Sequence, residues 1–160
     1  MNIQIIEIWK YFSLNNVKYL TIGGFAVNIY GYGRNTGDLD IYIEDSIENR
    51  ENLRIALKES GIGNFENINT MQFIPGWTDI SLNFNLRLDI ITSVKDLENY
   101  SFEQLLEKAY ITEISDVPVY FIDYENLIVA KKALNRPKDI LDIEELEKIN
   151  KKNLILEFET

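Results

Sequence analysis

The chain has 160 residues, of which 46% are hydrophobic and 12% aromatic, enough for a buried core and typical of one folded domain. It has no cysteine and no histidine, which excludes disulfides, thiolate zinc sites and triads with an imidazole base. The formal net charge of −10 argues against general DNA or RNA binding. No stretch approaches the ~20 apolar residues of a membrane span, and we expect a cytoplasmic protein.

The N-terminal half predicts helices and strands in alternation. Apolar residues recur at helical spacing over residues 3–14 and again over residues 47–60, which predicts two amphipathic helices. Residues 17–22 are rich in β-forming residues and predict a strand that a pair of glycines ends. One or two helical turns are expected over residues 25–30, and a glycine-rich loop then leads into a second strand.

The C-terminal half continues this alternation. Strands are expected around residues 68–74, before a break at Pro75-Gly76, and over 80–82, 86–91, 111–114 and 117–122, with helices over 101–110, 124–135 and 139 to about 150. We expect Asp123 and Asp139 to cap the last two helices and Arg136-Pro137-Lys138 to separate them. The mixture predicts an α+β fold in one domain, with a core and a C-terminal helical part at about residues 17–122 and 123–150 of residues 1–160.

Two carboxylates, Asp38 and Asp40, stand two residues apart on the second predicted strand. On a strand such residues point to the same face, whereas on a helix they lie about 200° apart. Acids with this spacing in the last predicted helix, such as Asp142 and Glu144, therefore cannot converge on one ion. Two carboxylates held together repel each other and are typical ligands of Mg²⁺ or Mn²⁺. Asp89 is the same kind of residue on another predicted strand, although a solvated strand face also explains each acid alone.

Two further features of the sequence suit the binding of an anion. Gly23-Gly24 leads into a helix and exposes backbone N–H groups that suit phosphate, although a plain tight turn also explains the pair. Lys131 shares the apolar stripe of its predicted helix, whereas Lys132 points to solvent. A lysine in such a stripe either extends its ammonium to solvent or meets an anionic partner such as phosphate.

Four more polar residues are candidates for supporting roles. Asp142 is expected to point inward, and an ion pair with Lys131 would orient that lysine. Arg34 and Thr36, on the loop before the strand acids, are expected to contact phosphate or base. Arg34 alternatively neutralises one of the two strand carboxylates. Arg87 faces the same side of its strand as the third predicted acid, and serves either in a salt bridge or in a substrate contact.

Several segments together resemble a known family. They are Ile22-Gly23-Gly24-Phe25-Ala26-Val27, the run from Gly31 to Asp40, Arg87-Leu88-Asp89-Ile90-Ile91-Thr92, Leu127-Ile128-Val129-Ala130-Lys131 and the run from Arg136 to Asp142. The set resembles the DNA polymerase β-like nucleotidyltransferase superfamily. It is more closely similar to the bacterial branch near the AbiEii-type toxins and minimal nucleotidyltransferases. The resemblance covers roughly residues 17–146.

The resemblance implies a nucleotidyltransferase fold, in which helices flank a mixed central β-sheet. It implies that Asp38 and Asp40 hold the metals, Mg²⁺ or Mn²⁺, that bridge the triphosphate of an NTP. Asp89 would complete the second metal site and help to activate the acceptor hydroxyl. Lys131 matches the lysine of the family. Gly24 departs from the pattern, because many members have there a serine whose hydroxyl touches phosphate.

The sequence therefore predicts an Mg-dependent nucleotidyltransferase that moves a nucleoside monophosphate from an NTP to a hydroxyl and releases pyrophosphate. The acceptor is expected to be a protein side chain, as in toxin–antitoxin pairs, a tRNA 3′ end or a small molecule such as an antibiotic. The acidic charge disfavours tRNA, and the short chain disfavours an aminoglycoside-type modifier. Two alternatives stay open: a catalytically inactive nucleotide- or partner-binding module of the same fold, and a structural domain with an acidic strand face.

Overall fold

The structure, a computed structural model, describes residues 2–74 and 78–158. Six α-helices lie within these residues: α1 (Ile3–Leu14), α2 (Gly23–Ile29), α3 (Ile47–Glu59), α4 (Phe102–Glu107), α5 (Tyr124–Leu134) and α6 (Pro137–Phe158). The strands of the same residues are β1 (Tyr19–Ile22), β2 (Asp38–Ile43), β3 (Asp79–Ser81), β4 (Arg87–Ile91), β5 (Tyr110–Ile114) and β6 (Val117–Phe121).

The strands form one mixed sheet in the order β3-β4-β2-β1-β6-β5. The β2–β4 and β1–β6 pairs are parallel, and the other neighbours are antiparallel. The predicted α+β fold with a mixed central sheet is therefore confirmed. β2 and β4 are neighbours although three helical segments and β3 separate them in sequence. This pairing positions the candidate site.

One face of the sheet is covered by α1, because the apolar residues of this helix recur at helical spacing. Ile5, Ile8 and Trp9 are buried there. The Trp9 indole N–H donates a 3.1 Å hydrogen bond to the Thr21 hydroxyl of β1, so the polar atoms of this contact are also satisfied. α3 packs against α1 on the same face. The described residues on this face of the sheet belong to the hydrophobic core, and none of them is a candidate site residue.

The opposite face carries α2 and α5, which contact each other. Tyr30, just after α2, donates its hydroxyl hydrogen to the carbonyl of Ile122 at 2.8 Å. Its ring meets that of Tyr124 edge-on, with the centroids 5.6 Å apart. These contacts fix the start of α5 beside α2, on the side of the sheet to which the predicted carboxylates of β2 point.

The strand predicted around residues 68–74 is wrong. Residues Glu66–Asn69 form a 3₁₀ turn, and the chain then continues without regular structure up to residue 74. Arg50 of α3 explains this: its Nη1 donates to the carbonyls of Ile68 and Met71, at 2.8 and 2.7 Å. Because these carbonyls already accept hydrogen bonds, the segment needs no neighbouring strand. Its apolar side chains are therefore buried although its backbone is irregular. The predicted break at Pro75-Gly76 lies outside the described residues.

The last helix also differs from the prediction. It starts at Pro137 and runs to Phe158 instead of starting at Asp139 and ending near residue 150. Proline suits the first position of a helix, because its missing N–H would have no helical partner there. Asp139 is therefore inside the first turn and does not precede it as a cap, although its carboxylate accepts the backbone N–H of Arg136 at 3.2 Å. Among the described residues, no helix combines the length and apolarity that crossing a bilayer requires.

Candidate active site

Three carboxylates lie side by side across three neighbouring strands. Asp40 of β2 is the register partner of Asp89 of β4 in the parallel pair. Asp89 is in turn the register partner of Asp79 of β3 in the antiparallel pair. Register partners on adjacent strands point to the same face, and strands lie about 4.8 Å apart. Asp38 joins this face by strand alternation, so the structure brings all three sequence-predicted acids together.

The clustering of these acids changes the protonation of Asp40. Burial, as the largest cause, and the neighbouring carboxylates of Asp89 and Asp38 together raise the pKa of Asp40 to about 6. The positive charges of Lys138 and Lys131 oppose this rise. Asp40 therefore occupies a place where negative charge is unfavourable and where an added cation would be stabilised.

Asp38 has a cationic partner within the protein. Arg87 Nε lies 3.0 Å from Asp38 Oδ1, and Arg87 Nη1 lies 3.8 Å from Asp79. The Arg87 side chain is 57% exposed, so this is a surface ion pair of the kind that contributes little to stability. Of the two roles open for Arg87, the salt bridge is present in the structure.

The first glycine of the pair allows the backbone to pass against the site. Gly23 has a φ of +64°, and a Cβ there would overlap the Asp40 carboxylate. Any other residue at this position is both strained and in steric conflict with Asp40. Gly23 therefore holds the start of α2 directly against the acids.

The second glycine is buried under the loop that follows α2. A Cβ at Gly24 would lie 2.5 Å from Thr36 Oγ1 and 2.8 Å from Thr36 Cβ. The Thr36 hydroxyl thus fills the space that a serine at position 24 would occupy, and it donates to the backbone carbonyl of Asp38 at 3.1 Å. The departure from the family pattern at Gly24 has a steric reason in this chain.

A buried ion cluster lies beside the acids. The Lys131 ammonium is 3.0 Å from Asp139 and 2.6 Å from Asp142. Arg34 donates to both oxygens of Asp142, at 2.7 and 3.0 Å. Burial would raise the pKa of Asp139, but hydrogen bonds from Arg136 and Lys131 outweigh it and lower the pKa. The predicted Asp142–Lys131 pair is present, and Arg34 pairs with Asp142, not with a strand acid.

A cavity of about 520 Å³ opens above the strand acids. Predicted site residues that line it are Gly23, Asp38, Asp40, Arg87, Asp89 and Lys131. The predicted residues Gly24, Arg34, Thr36 and Asp142 lie behind this lining in the described part of the chain. The phosphate-binding roles assigned to Gly23, Gly24, Arg34, Thr36 and Lys131 stay predictions.

Sequence reasoning missed several polar residues of the cavity: Asp79, Ser93, Lys95, Arg136 and Lys138. The sequence contained a signal for Asp79, because this residue alternates with Ser81 on β3. The predicted strand, residues 80–82, started one residue after the observed one. Lys138 was assigned to a helix break, whereas it is the second residue of α6. Nothing local marks Lys95 as a site residue.

The carboxylates also fit a divalent cation by their chemistry. Mg²⁺ and Mn²⁺ prefer carboxylate oxygens, and burial and the neighbouring acids, which raise the pKa of Asp40, favour an added cation beside this carboxylate. As the side chains of the described residues stand, no group of three acids is already placed to hold a metal ion. Asp38 is turned toward Arg87. The assignment of Asp38, Asp40 and Asp89 as metal ligands stays a prediction.

The fold is that of nucleotidyltransferases. The lincosamide antibiotic adenylyltransferase LnuA, solved with lincomycin bound, matches with a TM-score of 0.62 and 17% identity over 93% of this chain and 98% of that one. A putative nucleotidyltransferase from Thermotoga maritima matches with a TM-score of 0.60 and 14% identity, over 92% and 91% of the two chains. The antibiotic-resistance factor ANT(2'')-Ia matches with a TM-score of 0.57 and 17% identity, over 98% and 94%.

The chain belongs to the family described as nucleotidyl transferase of unknown function (DUF2204), whose model matches residues 2–159. The predicted nucleotidyltransferase class is therefore confirmed, and with it the prediction of an enzyme family. The narrower resemblance to the AbiEii-type branch stays a prediction. Among curated proteins, no sequence matches significantly.

Proposed function

We propose that this chain transfers a nucleoside monophosphate from an NTP to a hydroxyl of an acceptor, with Mg²⁺ or Mn²⁺. The observation that carries the proposal is the register of Asp40 opposite Asp89, with Asp38 on the same face and all three in one cavity. The acceptor oxygen forms a bond to the α-phosphorus while the bond from that phosphorus to the bridging oxygen breaks. Pyrophosphate leaves, and Asp89 takes the proton of the hydroxyl.

Asp38, Asp40 and Asp89 would hold the divalent ions. Bound there, such ions supply positive charge that offsets the charge of the triphosphate and of the leaving pyrophosphate. The Arg87–Asp38 pair is exposed, so the release of Asp38 from Arg87 costs about 1 kcal/mol or less. The narrow space at Gly23 keeps the backbone of α2 against Asp40, which fixes the position of this acid.

For the acceptor, the cavity supports a small molecule best. Its volume of about 520 Å³ lies within the usual range for small-molecule sites. The argument that this chain is too short for an aminoglycoside-type modifier loses its basis, because the match covers 94% of the chain of the antibiotic-resistance factor ANT(2'')-Ia. A protein side chain, as in toxin–antitoxin pairs, and a tRNA 3′ end remain the other candidate acceptors.

The inactive-module alternative predicts that Arg34 or Lys131 neutralises the strand acids. Arg34 binds Asp142 instead, and Lys131 binds Asp139 and Asp142. Burial and the carboxylates of Asp89 and Asp38 keep the pKa of Asp40 raised. These contacts support the catalytic alternative over the inactive one.

Thermal melting with Mg²⁺ and each of the four NTPs tests the proposal. At least one NTP is expected to raise the Tm, because a ligand that binds only the folded state stabilises it. The double variant Asp38→Ala with Asp40→Ala is expected to abolish the shift. Glu98→Ala with Glu107→Ala, two exposed acids outside the cavity, is the matched control and should keep it. No shift with any NTP would overturn the proposal.

The acceptor is identified in a second step. The active NTP, labelled at its α-phosphate, is incubated with antibiotics that carry hydroxyls, with tRNA and with cell protein. Transfer of label to one class, lost in the Asp89→Asn variant, identifies the acceptor class. Label that appears equally with Asp89→Asn would show that Asp89 takes no part in the reaction.

A further inference from the structure

Five cationic side chains of the described residues line the cavity, and four of them are already engaged by the protein. Arg87 binds Asp38, as described above. Lys95 donates to the backbone carbonyl of Ala133 at the end of α5, at 3.1 Å. An engaged cation must give up its partner before it can bind a ligand. The free energy of the lost contact therefore weakens ligand binding by these groups.

The other two engaged cations belong to the buried ion cluster. Lys131, with a side chain only 4% exposed, lies between Asp139 and Asp142. Arg136 is 2.6 Å from Asp139. Drawing the Lys131 ammonium toward a ligand would leave buried carboxylates without their cation, which is strongly destabilising. Lys131 therefore holds α5, α6 and the loop of Arg34 together.

Lys138 is different from all four. It lines the same cavity and is exposed, and within residues 2–74 and 78–158 its ammonium has no hydrogen bond and no ion pair. Its charge nevertheless acts on Asp40, since it lowers the pKa that burial and the neighbouring acids raise. Lys138 thus faces the same cavity as the strand acids, where its ammonium can reach an anion bound over them.

The backbone gives Lys138 a fixed base. It is the second residue of the 22-residue helix α6, and Asp139, the next residue, is anchored in the buried cluster. The Cα of Lys138 is therefore rigid, while its four-carbon side chain is free to adjust to a ligand.

We propose that Lys138 is the residue that binds the polyphosphate of the nucleotide, and that Lys131 is a positioning residue that acts through the ion cluster. This inference rests on the proposed nucleotidyl transfer. It assigns the phosphate contact to a lysine that sequence reasoning placed in a helix break. A flexible ammonium without a protein partner gains a charge-assisted contact and loses none.

The test measures the binding of inorganic tripolyphosphate and of the four NTPs, each with Mg²⁺, by calorimetry on the full chain. Lys138→Ala is expected to weaken binding about tenfold, the usual scale of a hydrogen bond to a charged group. Lys132→Ala removes the same charge from an exposed position outside the cavity and is expected to change the affinity less than twofold. Lys138→Arg is expected to restore most of the affinity.

A second measurement separates binding from folding. The Tm of the ligand-free Lys138→Ala protein is expected to equal that of the parent, because Lys138 has no partner to lose in the part of the chain that the structure describes. Lys131→Met is expected to lower it by several degrees. Parental affinity in Lys138→Ala would overturn this inference alone. A parent protein that binds neither tripolyphosphate nor any NTP would overturn the proposed function and this inference together.

Discussion

Lys131 and Asp142 form a buried ion pair, with the ammonium 2.6 Å from the carboxylate and the side chains 4% and 1% exposed. The same carboxylate accepts two hydrogen bonds from Arg34, at 2.7 and 3.0 Å. A single side chain of α6 thereby joins α5 to the loop that precedes the strand acids. The shape of the cavity depends on this junction, because its two walls come from the sheet and from α5 and α6.

The first prediction concerns this junction. Asp142→Asn is expected to lower the free energy of unfolding by about 3 kcal/mol, because it leaves Lys131 and Arg34 buried with one carboxylate fewer. Urea unfolding followed by circular dichroism measures the change. Glu144→Gln, an exposed acid on the same helix, is the control. The assignment fails if Asp142→Asn costs no more stability than Glu144→Gln.

The second prediction concerns the pH dependence of stability. The folded protein raises the pKa of Asp40 from 3.8 to about 6, so the folded state binds more protons between these values than the unfolded state. The stability that Asp40 contributes is complete below pH 4 and is lost as the pH rises through about 6. Asp40→Asn removes this loss and is expected to stabilise the metal-free protein by about 2 kcal/mol at pH 7.5.

The measurement is thermal melting in EDTA at pH 7.5 and pH 5. Asp40→Asn should raise the Tm by several degrees at pH 7.5 and by about half as much at pH 5. Glu98→Gln neutralises an exposed acid outside the cavity and should show no such difference. An equal effect of Asp40→Asn at both pH values would contradict the raised pKa.

The third prediction concerns Gly24. Gly24→Ser is expected to destabilise the protein by about 1–3 kcal/mol, because the new Cβ would lie 2.5 Å from Thr36 Oγ1. The loss should be smaller when Thr36→Gly is present, which a double-mutant cycle measures as coupling. Gly33→Ser is the matched control, because a Cβ there meets no atom within 4 Å. Equal losses for the two serine variants would refute the steric explanation.

The fourth prediction concerns Arg87. Arg87→Gln is expected to change the free energy of unfolding by less than about 1 kcal/mol, since the pair with Asp38 is exposed. It is also expected to tighten Mn²⁺ binding severalfold, because the guanidinium no longer competes for Asp38. Titration followed by electron paramagnetic resonance measures free Mn²⁺. Arg54→Gln, which removes a partner of Glu51 outside the cavity, is the control. Weaker Mn²⁺ binding in Arg87→Gln would contradict the competition.

Several features of the site followed from local sequence. The alternation in β2 places Asp38 and Asp40 on one face, because the side-chain period of a strand is two residues. The apolar stripe of α5 likewise distinguished Lys131 from Lys132, and Lys131 is buried. Both patterns depend only on residues that are close along the chain, so they can be recognised in a single sequence.

Other features needed the tertiary structure. Arg34 and Asp142 are 108 residues apart, and nothing in either segment specifies the other. The register that sets Asp79 beside Asp89 likewise depends on which strands become neighbours in the sheet. The irregular segment after α3 was wrongly predicted to be a strand. Its β-forming residues are buried without a neighbouring strand, because Arg50 donates hydrogen bonds to its backbone carbonyls.

The amino-acid sequence thus determined most of the elements, the acid pair and the nucleotidyltransferase class, all of which depend on short-range periods and motifs. Only the tertiary structure decided which charges are neutralised. Lys131 and Lys138 both line the cavity of the strand acids, yet one is buried between two carboxylates and the other is exposed, with no partner among the described residues. Charge partners are chosen by distances across the fold, which the order of residues along the chain does not state.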